Sequence, residues 1–260
     1  MVFQKQNRRN NLDLMRLNRF LAAAGFGSRR SCEQLISGGH VVINGHKTTV
    51  LATQIEEGDD VRVDGRPARA AVQLTILFNK PRGYVVTRSD ERGRRTIYDL
   101  LPASHSSLFH VGRLDKESEG LLLMTNDGIL AQELTHPSHG IEKEYEVELD
   151  KAFDFSHVEK LLKGIHIEGG RGKFERVRTI APKKLCVVLR QGIKRQIRLM
   201  FYTLGYEVER LRRIRIGKLL DNRLPQGAWR PLSVKERGLL RDAPKKAVAP
   251  QKSHPLRQAS

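Results

Sequence analysis

Residues Glu142–Leu149 read EKEYEVEL. Lys143, Tyr145, Val147 and Leu149 fall at alternate positions, with Glu142, Glu144, Glu146 and Glu148 between them. A period of two is the mark of a β-strand with one packed face and one wet face. This strand sets the class, because its neighbours mix strand and helix signals. Downstream, KKLCVVLRQG (183–192) predicts a second strand. In KRQIRLMFYTLG (194–205), Ile197, Met200, Phe201 and Leu204 form one helical stripe, and Gly205 is its stop. The same spacing puts Arg195 and Arg198 one helical turn apart.

Upstream, TILFNKPRGYVVT (75–87) predicts a strand, a turn at Lys80-Pro81-Arg82-Gly83 and a second strand. Between that pair and the alternating strand lies VGRLDKESEGLLLMTNDG (111–128). Gly112 and Gly120 permit sharp turns, which would hold Asp115 on a loop above the apolar LLLMT segment. Residues 75–240 therefore read as one α+β, strand-rich unit.

A smaller unit stands in front. In MRLNRFLAAAGFGSRR (15–30), Leu17, Phe20, Leu21 and Ala24 share a helical face and Gly25 is a stop. Ser28 can cap a second helix, RRSCEQLIS, with Leu35 and Ile36 inward and Gly38-Gly39 at its end. HVVINGHKTTV (40–50) predicts a hairpin turning at Asn44-Gly45, and DDVRVDG adds a last strand. GRPARAAVQL (65–74) reads as a linker. The ends, 1–14 and 241–260, read as basic tails, the second one disordered.

The chain has 260 residues, 39% of them hydrophobic, and a formal net charge of +18. Three stretches hold almost all of that charge: residues 1–30 carry +6, 186–218 carry +7 and 241–260 carry +4. Localised positive charge predicts a polyanionic partner, and nucleic acid is favoured because phosphate binding releases counterions. A membrane surface would want a basic amphipathic helix with exposed bulky apolar residues, and no window is apolar enough to span a bilayer. Two cysteines far apart in sequence, with no secretory signal ahead of them, fit a reducing cytoplasm.

Several chemistries lack their residues. There is no H-x-E followed by P-C-x-x-C for a zinc deaminase, no G-x-x-x-x-G-K-[ST] loop and no G-x-G-x-x-G signature. HPSH (136–139) is more often a polar surface than a metal site. Nothing calls for a cofactor or a metal. A carboxylate on the Asp115 loop is a useful nucleophile if it stays ionised and partly desolvated, and a guanidinium beside it would keep it charged. Arg198 is the candidate cation, with Arg113 and Arg195 also near the motifs.

Met15 to about Asp64 resembles the S4-like RNA-binding module, carried by SRR at the second helix and by VVINGHK. Arg16, Arg29, Arg30 and Lys47 are the basic side chains that resemblance assigns to RNA. GRLDKESEGLLLMTNDG, EKEYEV and GIKRQIRLM, with NKPRGYVVT and LRRIRIGKLL…LPQGAWRPL, resemble pseudouridine synthases of the RsuA family, the branch that modifies ribosomal RNA. The resemblance implies an S4-like domain followed by a mixed, mainly antiparallel sheet flanked by helices. It implies isomerisation of a uridine in ribosomal RNA without cofactor or metal. Asp115 would attack the target nucleotide, Tyr145 would stack on the everted uracil, and Arg198 would pair with Asp115. Arg113 would fill the gap left by the base, and Ile197 would wall the site. ERGRRTIYDLLP resembles members acting on large-subunit RNA, so 23S is favoured over 16S. The implied partner is structured RNA with a loop or bulge, free or in ribosome-assembly intermediates, bound by a monomer. The rival is a non-catalytic RNA-binding or ribosome-assembly factor, which would need the charge but not the combination of Asp115, Tyr145 and Arg198.

Overall fold

The computed structural model describes residues 15–69 and 72–241, so the basic tail at 1–14 and all but the first residue of the tail at 241–260 lie outside the described residues. The chain folds into two compact units. Of the described residues, the first takes 15–69, 72–116, 122–135 and 226–231; the second takes 117–121, 136–225 and 232–241.

In the first unit, β1 (Met15–Arg16) leads into α1 (Leu17–Ala23), which buries Leu17 and Leu21. The Ser28 hydroxyl accepts from the Ser31 amide at 3.1 Å and caps α2 (Arg29–Ser37), as its residue type predicts. The hairpin of β2 (Val41–Ile43) and β3 (His46–Thr48) turns at Asn44 and Gly45, with φ of 49° and 82°. Two successive positive φ angles make the turn that matches strand twist, and Asn-Gly tolerates them best. After β4 (Gln54–Ile55) and β5 (Val61–Val63) comes β6 (Arg66–Pro67), giving a sheet ordered β3-β2-β5-β6. Leu17, Leu21, Ile36, Val41, Val61 and Val63 form its core, and Ala68 packs there too. The segment read as a linker from 65 therefore begins inside this packing, because β6 pairs with β5 and carries Ala68 into the core.

β7 (Thr75–Lys80) is buried along its whole length. The second strand expected after Gly83 does not form. Val85 makes one isolated bridge to Thr96, and the intervening chain turns through Asp90–Gly93 instead of pairing. β8 (Phe109–Val111) runs antiparallel to β9 (Glu119–Thr125), whose last residues pair with it, and α3 (Gly128–Thr135) follows. Glu119–Leu121 of β9 group with the second unit and Leu122–Thr125 with the first.

The second unit contains β10 (Lys143–Leu149), α4 (Val158–Lys163), β11 (Ile165–Ile167), β12 (Gly170–Gly172), β13 (Arg176–Ala181), β14 (Lys184–Leu189) and α5 (Gln196–Thr203). It continues through β15 (Val208–Ile216) and β16 (Leu219–Leu220). Its sheet runs β13-β14-β10-β15-β9, antiparallel except where β15 lies parallel to the start of β9. The alternation in β10 holds: Tyr145, Val147 and Leu149 are buried while Glu144, Glu146 and Glu148 are half-buried. α5 buries Ile197, Met200 and Phe201 against a cluster in which the rings of Phe153, Phe174, Phe201 and Tyr206 touch. Each such side chain contributes about 1.5–3 kcal/mol by leaving water. β17 (Trp229–Pro231) returns to pair with β7 in the first unit, and α6 (Val234–Arg241) ends the described chain.

Candidate active site

Asp115 lies on the loop joining β8 to β9, where the sequence places it. Leu114 is buried beside it, Arg113 is exposed and Asp115 itself is half-buried. The loop's exit is held by its backbone. The Lys116 carbonyl accepts from the Lys80 ammonium at 3.3 Å and from the Gly83 amide at 2.8 Å. Lys80 is fully buried, and its ammonium also donates to the Pro81 carbonyl at 3.0 Å. The turn 80–83 thus serves to brace the residue after Asp115 rather than to join two strands. His110, at the loop's entry, donates or accepts with the Tyr98 hydroxyl at 3.0 Å. Burial lowers its pKa from the ordinary histidine range, and the Arg113 and Arg88 charges lower it further.

In the second unit, the Arg198 guanidinium donates to the Val208 carbonyl at 2.6 Å and to the Glu117 carbonyl at 3.3 Å. It is anchored to the backbone two residues past Asp115. Ile197 is 4% exposed on the buried face of α5. Arg195 departs from expectation. It is the N-cap of α5 with φ 55°, so it stands before the helix instead of one turn below Arg198. Its guanidinium lies 3.9 Å from the Glu117 carboxylate on an exposed pair.

Tyr145 is 7% exposed on β10, opposite Val187 of β14 and Arg213 of β15. The pairing of β10 with β15 slips by one residue between Glu144 and Tyr145, so that Ile214 is skipped. This bulge sends Arg213 to the Tyr145 position and Arg215 to the Glu144 position. Arg213 donates to the Tyr145 hydroxyl at 3.4 Å and to the Leu121 carbonyl at 2.6 Å. Gly120 makes that approach possible: a Cβ there would stand 2.3 Å from the Arg213 carbonyl oxygen. On the glutamate side, Glu142 is 3% exposed and receives Arg176 at 2.7 Å, Arg190 at 3.2 Å and Arg215 at 3.3 Å. Arg215 also donates to Glu144 at 2.7 Å.

Arg16, Arg29, Arg30 and Lys47 are all exposed on the front module, and none makes a side-chain hydrogen bond or ion pair among the described residues. The basic stretch 186–218 is different. Read as a phosphate-binding surface, it includes Arg213 and Arg215, which are 3% and 9% exposed, and Arg190 and Arg210, which are ion-paired. Arg213 and Lys143, which lie close to Tyr145 on β15 and β10, were not singled out from the sequence as candidates for the site. Leu211 and Arg213 sit two apart on the buried side of β15, but Ile214 and Ile216 fall on the alternate positions, so the pattern of LRRIRI gave no signal for Arg213. Among the described residues no cluster of His, Cys, Asp or Glu is arranged to hold a metal ion, and no helix is long and apolar enough to cross a membrane.

Comparison with known proteins matches the family described as RNA pseudouridylate synthase over residues 74–203 and the S4 domain over residues 15–61. The chain is 38% identical over 239 residues to ribosomal large subunit pseudouridine synthase B of Vibrio cholerae, covering 87% of this chain and 74% of that protein. It is 35% identical over 240 residues to the protein of the same name from Yersinia pestis, covering 87% and 75%. A crystal structure described as a pseudouridylate synthase superposes with a TM-score of 0.65 at 28% identity, covering 87% of this chain and 99% of that one. With these matches running through the Asp115 loop, β10 and the whole of α5, the chain belongs to the RNA pseudouridylate synthase family and carries an S4 domain at its front.

Proposed function

We propose that the protein isomerises one uridine of ribosomal RNA to pseudouridine, in large-subunit 23S rather than small-subunit 16S RNA, with Asp115 as the nucleophile on an everted nucleotide. The observation that carries this reading is the Asp115 carboxylate: half-buried, on a loop braced at Leu114 and Lys116, and engaged in no hydrogen bond or ion pair among the described residues. A carboxylate whose own protein does not use it, on backbone that cannot wander, is free to meet a substrate atom. The names of the Vibrio cholerae and Yersinia pestis relatives support the choice of large-subunit RNA.

The remaining residues divide the work. Tyr145 offers a π-face that holds uracil through rotation, where a hydrogen-bonded pocket alone would resist turning. Arg198 pairs with the Asp115 carboxylate once RNA is bound, Arg113 takes the space the base leaves, and Ile197 walls the site. Arg195, with Arg16, Arg29, Arg30 and Lys47 on the module at 15–64, contacts phosphates and positions the RNA without reading its sequence. Everting the base costs a few kcal/mol, least at a loop or bulge, and phosphate contacts offset it. The reaction is redox-neutral, and its steps need only side chains. Buried Cys32 and Cys186, both free thiols, fit work in a reducing cytoplasm.

Release of tritium from carbon 5 of labelled uridine tests this. The protein should release label from a 23S transcript and leave a 16S transcript untouched, and Asp115→Asn should release none. RNA binding with no release from either transcript would make the protein a non-catalytic ribosome-assembly factor instead.

A further inference from the structure

Arg213 is 3% exposed, so each nitrogen of its guanidinium needs a partner inside the protein or on a ligand. Nε is taken by the Leu121 carbonyl and Nη1 by the Tyr145 hydroxyl. Nη2 is buried and meets no acceptor among the described residues. The carboxylates around β15 are committed elsewhere: Glu119 to Arg210 at 2.5 Å, and Glu144 to Arg215. The neighbourhood is otherwise cationic. The Lys143 ammonium, two positions from Tyr145 on the same strand, is pushed down to about 8 by burial, with the Arg213 charge adding to the effect. A charged donor left unpaired indoors is costly, and two cations without a counter-charge compound that cost. At a ring meant to carry a substrate, the missing acceptor is one that arrives with the substrate.

We propose that Nη2 of Arg213 donates to a carbonyl oxygen of the target uracil while that ring lies on Tyr145, making Arg213 a substrate-contacting residue. This inference rests on the uridine isomerisation proposed above. In that reaction the bond from ribose carbon 1 to N1 breaks with its electron pair kept by uracil. A bond from the same carbon to C5 forms, the C5 proton leaves to water, and N1, no longer bonded to ribose, takes up a proton from water. The detached ring spreads its negative charge onto both carbonyl oxygens, so a guanidinium hydrogen bond strengthens as the charge grows. Turning uracil about the axis through N3 and C6 exchanges O2 with O4. One fixed donor therefore meets a carbonyl oxygen before and after the turn, and it opposes neither orientation. The donor is fixed: the Leu121 and Tyr145 contacts hold the guanidinium at two nitrogens, and β9 lies against its backbone at Gly120.

The test compares wild type with Arg213→Gln, Arg213→Lys and Arg213→Ala on a 23S transcript labelled at carbon 5 of uridine. Single-turnover label release and filter-binding affinity are read for each. Arg213→Gln should slow release about 100-fold and change affinity less than about threefold. Arg213→Lys should recover part of the loss. Guanidinium chloride at non-denaturing concentration should speed Arg213→Ala at least about tenfold, a response that loss of packing alone would not give. Release by Arg213→Gln within about threefold of wild type overturns the inference and leaves the isomerase reading intact. Slow release in all three variants with a lowered thermal midpoint and no guanidinium response also overturns it, since Arg213 then acts through the fold. A wild-type protein that releases no label from either ribosomal RNA overturns both readings together.

Discussion

The arginines of the front module and those of the β10–β15 ladder are the same side chain under opposite rules. Arg16, Arg29 and Arg30 stand in water with no protein partner among the described residues, over a core of mostly aliphatic side chains. Arg213 and Arg215 are inside, each held by several directional contacts. Exposed cations act through number and through the counterions they displace, so any one of them is replaceable. Buried cations act through direction, and each has a partner that would be stranded by its loss. Net charge sees only the first kind, although both count equally in the +18.

The contrast can be broken most sharply at the residue that should affect chemistry alone. Asp115→Asn is expected to cut single-turnover pseudouridine formation about 10⁵-fold or more while RNA affinity stays within about threefold. A parallel loss of affinity in filter binding would show that chemistry and binding are not separable here. Next is Glu142→Gln, which leaves Arg176, Arg190 and Arg215 without their shared carboxylate. Urea unfolding should report a loss of about 3–5 kcal/mol, against no measurable loss for Arg29→Ala. The double change Arg29→Ala/Arg30→Ala addresses the opposite side of the comparison. Affinity for ribosomal RNA should fall about tenfold and the salt slope of log K should flatten by about 1.5, with label release at saturation unchanged. Smallest of all is Arg195→Ala, whose partner Glu117 is 3.9 Å away, both side chains nearly half exposed. Its effect on unfolding free energy should stay under about 0.5 kcal/mol.

What could be read from the letters follows the same division. Ser28, Asn44-Gly45, the alternation in β10 and the stripe of α5 were legible because each is decided within a few residues by capping, turn geometry or one-sided burial. The strand expected after Gly83 failed because a pairing partner is needed, and only Thr96 meets Val85 there. Linker and strand were confused at Arg66–Pro67 for the same reason, since β6 exists only through β5. The position of Asp115 on a loop was readable from its flanking glycines. The burial of Arg213 was not, because the slip in register that puts it opposite Tyr145 depends on a residue 68 positions away in sequence.

Lys80 has a practical corollary. A reagent that acetylates amines acts only on a group it can reach after the group has lost its proton to water, and this one is sealed between the carbonyls of Pro81 and Lys116. Mass-spectrometric labelling should therefore leave Lys80 blank while Lys116, its neighbour across that contact, is marked early. Slow appearance of a tag on Lys80 would time the rare openings of the strap that carries Asp115, giving a clock for the loop that needs no RNA at all.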